Sequence, residues 1–237
     1  MKFELPYRRN VMKRFILPLM ILLFVGSLFA VESAPSEVVG YVKYDCVAGL
    51  NLVALPMEQG FTLSSEVGDT YPGQIDQISR WDADLQFWES AVFYDFGDGT
   101  GIWDPDFAVE PGSVIMISTT APISFFSIGS MPNSNAQYAM ISGLNTMMVP
   151  LNKSQLTLSS ELGDEIGTVD QLSRWDAGLQ FWESAVFYDF GDGTGIWDPD
   201  FNVSIGTPVM ASVTSPTTWP QGPRGNNQGT LQKFTGK

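Results

Sequence analysis

The chain contains no histidine, and that absence removes more chemistry than any other feature of its composition. Ser-His-Asp and Cys-His nucleophile systems, a histidine general base and the usual zinc ligand sets all need an imidazole. Cysteine is nearly as scarce. The single Cys46 can form neither an internal disulfide nor a thiolate cluster, and in the apolar run 44–55 it reads as a small buried hydrophobe. Cations are few, 12 Lys and Arg against 26 Asp and Glu, for a net charge of −14. A surface so poor in positive charge repels phosphate backbones and anionic membrane faces, so nucleic acid is not an expected partner.

Long apolar runs are also missing, except for residues 15–29, which are interrupted by Pro18 and fall short of the roughly 20 residues that a spanning helix needs. Met12-Lys13-Arg14 precede this run, and Ala30 and the polar segment 32–36 follow it. That is the charged, apolar, small-residue order of a secretory signal peptide. Residues 1–30 are therefore expected to be removed, with cleavage near Ala30 or, as second choice, near Ser33, and with Met12 as an alternative start. The mature chain is then expected to be secreted, periplasmic or at the cell surface, without membrane attachment. Cleavage takes five basic residues and one acidic residue with it, leaving 7 against 25. Two sequons, at Asn152 and Asn202, would matter only in a eukaryotic source.

What the chain does have is a duplication. Residues 76–107 read DQISRWDADLQFWESAVFYDFGDGTGIWDPDF and residues 170–201 read DQLSRWDAGLQFWESAVFYDFGDGTGIWDPDF, identical at 30 of 32 positions. Only Ile78/Leu172 and Asp84/Gly178 differ. The flanks agree far less: GLNLVALP at 49–56 against GLNTMMVP at 143–150 keeps four of eight. Either the matched segment carries what the protein does, or it was copied more recently than its surroundings. Self-similarity at a fixed spacing predicts two tandem units, here 38–128 and 136–219, with a disordered or loosely attached tail at 220–237.

Runs rich in Val, Ile, Tyr, Phe and Trp at 38–45, 50–55, 75–81, 86–95, 102–109 and 113–118, punctuated by Gly, Asp and Pro, read as strands. The second copy offers the same elements from 137 to 213, and 123–128 reads as a closing strand of the first unit, followed by a linker from Met131. Asp82-Ala-Asp-Leu and FGDGTG read as hairpin connections, with glycine supplying the positive backbone dihedral of a tight turn. One short helix is expected at 63–68, capped by Ser64 or Ser65. The predicted class is all-β: two tandem sandwich-like or small-barrel-like repeats, each with a short helical turn.

The order GLNLVALP, TLSSEVGD, IDQISRWDADLQFW and VEPGSVIMIS resembles secreted β-rich repeat modules of environmental bacteria: an apolar strand ending in Pro, a short helix, a Trp strand and a Pro-Gly before the last strand. The second copy departs from it with Ile205-Gly206 in place of Pro111-Gly112. The resemblance implies export and β architecture. It implies no chemistry.

Catalysis without histidine or a reactive thiol would have to come from carboxylates. Glu89 with Asp95, or Asp82 with Asp104, are the pairs to test for a glycosidase, which needs two carboxyl groups about 5–9.5 Å apart. The acidic turn gathers Asp95, Asp98, Asp104 and Asp106, repeated as Asp189, Asp192, Asp198 and Asp200. Carboxylates between flexible glycines suit a hard cation such as Ca²⁺, although they equally suit turns that bond their own backbone, and the EF-hand pattern is not met. Arg80 and Arg174 are the only cations of the matched segment and read as structural partners of Asp76, Asp82 or neighbouring carboxylates.

Along 86–96, alternation puts Trp88, Val92, Tyr94 and Phe96 on one face and Phe87, Ala91 and Phe93 on the other. One face must be core. The other is either buried against the second repeat or exposed as a platform that stacks on a sugar ring or a protein. Trp88, Trp182, Tyr94 and Tyr188 are the ligand-binding candidates on that alternative. The expectation is a non-catalytic secreted or cell-surface protein acting in structure or adhesion, with an extracellular protein as partner. The alternative is a carbohydrate-binding module, with or without bound calcium, with a glycan as partner.

Overall fold

The computed structural model describes residues 39–98, 100–132, 136–192 and 194–221; residues 1–30, expected to be a signal peptide, and most of 220–237, expected to be a loose tail, lie outside the described residues. The fold is all-β. Each repeat builds one five-stranded antiparallel sheet and one two-stranded ribbon. In the first repeat, β1 (Val39–Cys46) pairs with β7 (Ile123–Ser130), and the sheet runs β2 (Gly49–Ala54), β6 (Val114–Thr119), β3 (Ile75–Asp82), β4 (Phe87–Asp95), β5 (Gly101–Asp104). In the second repeat, β8 (Tyr138–Met140) pairs with β14 (Thr217–Trp219). Its sheet runs β9 (Gly143–Met148), β13 (Pro208–Val213), β10 (Val169–Asp176), β11 (Phe181–Asp189), β12 (Gly195–Asp198). Neither sheet closes on itself, so the barrel alternative gives way to open sheets packed by their faces. Among the described residues no helix is long and apolar enough to cross a membrane.

The period-two patterns of the sequence become buried faces. On one side of the first sheet, Val53, Leu55, Ile78, Ile115 and Ile117 pack with Val67 and Phe125 into one core cluster. The second sheet forms its own cluster around Met147, Leu162, Leu172 and Val209. The opposite faces then meet in a third cluster, where Leu52, Ala54, Val114 and Met116 of the first repeat touch Met148, Trp175 and Trp182 of the second. Each repeat thus owns a core and shares one. Cys46 is buried as expected, and burial pushes its thiol up to about 11.

Several local expectations are corrected. The strand expected over 102–109 ends at Asp104, because Pro105 follows and lacks the N–H a ladder needs. The helices α1 (Ser64–Asp69) and α2 (Ser159–Ile166) exist, but neither Ser64 nor Ser65 is the N-cap. Leu63 holds that position. Asp106, 41 residues beyond Ser65, takes over the cap by accepting hydrogen bonds from Ser65 N at 3.0 Å, Ser65 Oγ at 2.6 Å and Ser64 Oγ at 2.6 Å. Glu66 reaches back to the N–H groups of Thr62 and Leu63, the reciprocal half of a capping box. Asp200 and Glu161 repeat the device on α2.

Arg80 pairs with Glu89, directly opposite it in the β3–β4 register, at 2.7 Å, and not with Asp76 or Asp82. Its guanidinium also lies 4.8 Å from the centroid of the Phe107 ring. Arg174 does the same with Glu183 and Phe201. In the β3–β4 turn the positive dihedral falls on Gln86 (φ 56°) and Gln180 (φ 55°), a conformation uncommon for a residue with a Cβ.

Candidate functional site

The matched segment forms β3, β4 and β5, and one face of this three-stranded unit behaves differently at its two ends. At the β3–β4 turn, Trp81 and Trp88 sit opposite one another, edge to face, with ring centroids 5.5 Å apart. Trp88 is half-buried in the cluster between the repeats, as is its twin Trp182. The indole of Trp81 donates to Leu144 O at 2.7 Å, and that of Trp175 donates to Leu50 O at 2.8 Å. Gln86 exchanges two hydrogen bonds with the backbone of Leu144, and Gln180 two with Leu50.

Farther out, Tyr138 donates to Gly112 O and Tyr44 to Gly206 O, at 3.0 and 2.8 Å. Burial raises the pKa of both phenols, so they remain donors. Every one of these contacts has its counterpart 94 residues along the chain, the reciprocity of an isologous twofold interface.

In the middle of the face, Gln77, Ser79 and Ser90 bond one another. At the far end, the side chains of Tyr94, Phe96 and Ile102 are 52%, 61% and 52% exposed, and Tyr188, Phe190 and Ile196 are 52%, 59% and 52% exposed. Tyr94 lies directly opposite Ile102. Asp104, two residues on, shares their face by strand alternation and is exposed. The reverse side of this end is packed. Phe93 and Trp103 are in contact, and the Trp103 indole lies over Gly68 and donates to Asp69 at 3.0 Å. An anchored hairpin therefore holds an unanchored apolar patch in water, once per repeat. Of the four ligand-binding candidates, Tyr94 and Tyr188 lie on this patch, while Trp88 and Trp182 lie between the repeats.

The acidic turn is dispersed. Asp95 accepts from Gly97 N at 2.7 Å, and Asp98 accepts from Thr100 N at 2.9 Å and its hydroxyl at 2.5 Å. The Thr100 hydroxyl and N–H hold Asp98 below the usual carboxylate range. Asp189 and Asp192 repeat the pattern with Gly191 and Thr194. Asp106 is committed to α1; burial works against its charged form, and the bonds from Ser64 and Ser65 outweigh it and lower the pKa. Asp200 behaves alike toward α2. Asp104 and Asp198 stay on the exposed patch. Among the described residues, no three Asp, Glu or Cys side chains converge as a cation site.

The carboxylate pairs considered for glycoside cleavage are too far apart. Glu89 and Asp95 are six residues along one strand, about 20 Å at the rise of a β-strand. Asp82 faces Phe87 and Asp104 faces Val92, about 17 Å apart along β4. Neither pair can flank one sugar bond. Asp82 instead accepts from Leu85 N at 2.9 Å within the turn.

A cleft of about 690 Å³ opens between the repeats, lined in part by Arg80, Trp81, Glu110, Gly112, Tyr138 and Thr146. It runs up to Pro132 and Ala136, on either side of residues 133–135, which lie outside the described residues.

Sequence reasoning missed Phe96, Ile102 and their twins as exposed partners of Tyr94 and Tyr188. The signal was there in the alternation of β4 against β5, but only the register shows that Ile102 stands beside Tyr94. In comparison with known proteins, no family model matches this chain, and neither a curated protein nor a solved structure matches it.

Proposed function

We propose that the protein is a non-catalytic module of the cell exterior, acting in adhesion or surface structure, that holds its partner through two equivalent patches: Tyr94, Phe96 and Ile102 in one repeat and Tyr188, Phe190 and Ile196 in the other. One observation carries this reading. The patch side chains are exposed to nearly the same extent in both copies, as Tyr94 and Tyr188, Phe96 and Phe190, and Ile102 and Ile196, although buried positions outside the matched segment have diverged, as at Val53 against Met147 and Ile117 against Ala211. Large apolar side chains in water reduce solubility unless something covers them, and here they are presented twice. Two equal patches on one chain give avidity toward a repetitive surface.

The test is retention of the purified secreted form on cells of its source organism. Replacing Tyr94, Phe96, Tyr188 and Phe190 with Ser should abolish retention at an unchanged melting temperature; undiminished retention would refute the reading.

A second reading has its own support. Next to Tyr94 on its face, Gln77 and Asp104 stand on either side of Val92, a ring near an amide and a carboxylate that suits a sugar ring. Retention of the wild-type protein, but not of Tyr94→Ser/Tyr188→Ser, on insoluble polysaccharide would favour this carbohydrate-binding reading.

A further inference from the structure

We infer that the partner of each patch is a basic, extended polypeptide segment that adds to the open edge of β5 or β12; this rests on the patch reading above and names its chemistry. The first argument is charge. The described residues contain four cations, and each is already ion-paired: Lys43 with Asp45 at 2.6 Å, Arg80 with Glu89 and Arg174 with Glu183 at 2.7 Å, and Lys153 with Glu165. The same residues carry 23 carboxylates. Around each patch, Asp95, Asp98 and Asp104, or Asp189, Asp192 and Asp198, thus have no cation of this chain left to face them among the described residues. An anionic partner is repelled. A second copy of the chain would bring carboxylates against carboxylates.

The second argument is the chemistry of the patch. Aromatic faces attract ammonium and guanidinium groups, and Ile102 offers an apolar surface to the aliphatic stem of Lys or Arg. Tyr94, Ile102 and Asp104 together present the apolar and anionic halves that such a side chain requires.

The third argument distinguishes a polypeptide from any other polycation. β5 and β12 are terminal strands of their sheets, with no strand beyond them among the described residues. The opposite edges are engaged, since Gln180 bonds the backbone of β2 and Gln86 that of β9. An incoming extended segment can pair its main chain with β5. Alternation then places every second side chain over the Tyr94 face.

The experiment measures binding of the purified protein to three short probes: a peptide alternating Lys and Val, one of equal charge alternating Lys and Pro, and one alternating Glu and Val. Only the Lys-Val peptide should bind well, because Pro cannot donate to a strand ladder. Tyr94→Ser/Tyr188→Ser, which leaves the charge unchanged, and Asp104→Asn/Asp198→Asn should each weaken it about tenfold or more, equivalent to about 1.4 kcal/mol. Asp84→Asn/Glu110→Gln, which removes two charges at the other end of the first sheet, should change it less than about twofold.

Equal binding of the Lys-Pro peptide, or equal losses in both charge variants with none in the Tyr variant, would reduce the effect to diffuse electrostatics and overturn the inference. Failure of every peptide while cell or polysaccharide retention still depends on Tyr94 and Tyr188 would overturn the basic-peptide chemistry and leave the patch standing. Loss of the patch reading itself would show as cell retention that survives all four aromatic replacements.

Discussion

The Gln86 side-chain amide completes a two-bond exchange with the main chain of Leu144, accepting from its N–H at 2.8 Å and donating to its carbonyl at 3.0 Å. It is in effect one residue of a missing strand, laid against the edge of the other repeat's sheet. To do so Gln86 occupies the left-handed region, which costs a non-glycine residue about 1–3 kcal/mol. Gly143 is the complement: a Cβ there would lie 2.8 Å from the Gln86 amide oxygen. Gln86→Ala keeps the strained backbone and loses both bonds, so it should cost about 1–3 kcal/mol. Gln86→Gly loses the bonds but relieves the backbone, so it should cost distinctly less. Denaturant titration of the two variants checks the order, and Gln180 should repeat it against Leu50.

Trp88 and Trp182 are half-buried between the repeats and stacked edge to face on Trp81 and Trp175. Truncation to Ala should cost about 2–4 kcal/mol each, somewhat under the loss for a fully buried ring. Truncating Tyr94 or Tyr188, which are exposed, should leave the melt nearly unchanged. Urea denaturation of the four single variants makes the comparison; equal destabilisation by Tyr94→Ala would mean the patch is structural.

Gly68 supports the ring of Trp103 so closely that a Cβ would fall 2.0 Å from it, and Gly163 stands 2.1 Å from Trp197 in the same way. Gly68→Ala and Gly163→Ala should therefore be destabilising in spite of alanine's better helix propensity, by about 1–3 kcal/mol or more as the indole is forced away. Thermal melts followed by tryptophan fluorescence report both the loss and the displaced ring.

Asp106 and Asp200 have depressed pKa values in the fold: burial opposes their charge, and the serine hydroxyls and N–H groups at the helix starts outweigh it. Depressed carboxylates contribute stability above their unfolded value of about 3.9, and that contribution is lost as pH falls through the lower folded value. Stability should thus decline below about pH 4. Asp106→Asn/Asp200→Asn should lower stability at neutral pH and flatten that acid limb. Melting temperature against pH for both proteins tests the sign.

Asp95 and Asp98 are occupied by Gly97 and Thr100, and Asp106 by α1. Millimolar Ca²⁺ or EDTA should accordingly leave the melting curve where it is, since only a ligand favouring the native state raises it. A clear rise with Ca²⁺ that disappears in Asp98→Asn would restore the acidic turn as a cation site.

The sequence by itself determined the duplication, the all-β class, the positions of most strands, the existence of the short helices and the two-faced aromatic pattern of β4. The duplication shows when segments 94 residues apart are compared; the rest depend on local order, on a period of two and on turn residues, which a short window of the chain displays. Tertiary structure alone decided that one face of β4 is covered at Trp88 and bare at Tyr94, because that depends on how far the second repeat reaches across the first. It also decided that Asp106 caps a helix 41 residues away, that Arg80 chooses Glu89 over Asp76 and Asp82, and that Gln86 accepts a strained backbone. Each of these is a contact between segments distant in the chain. Its energy is paired through space, and neither partner's own neighbourhood in the sequence records it.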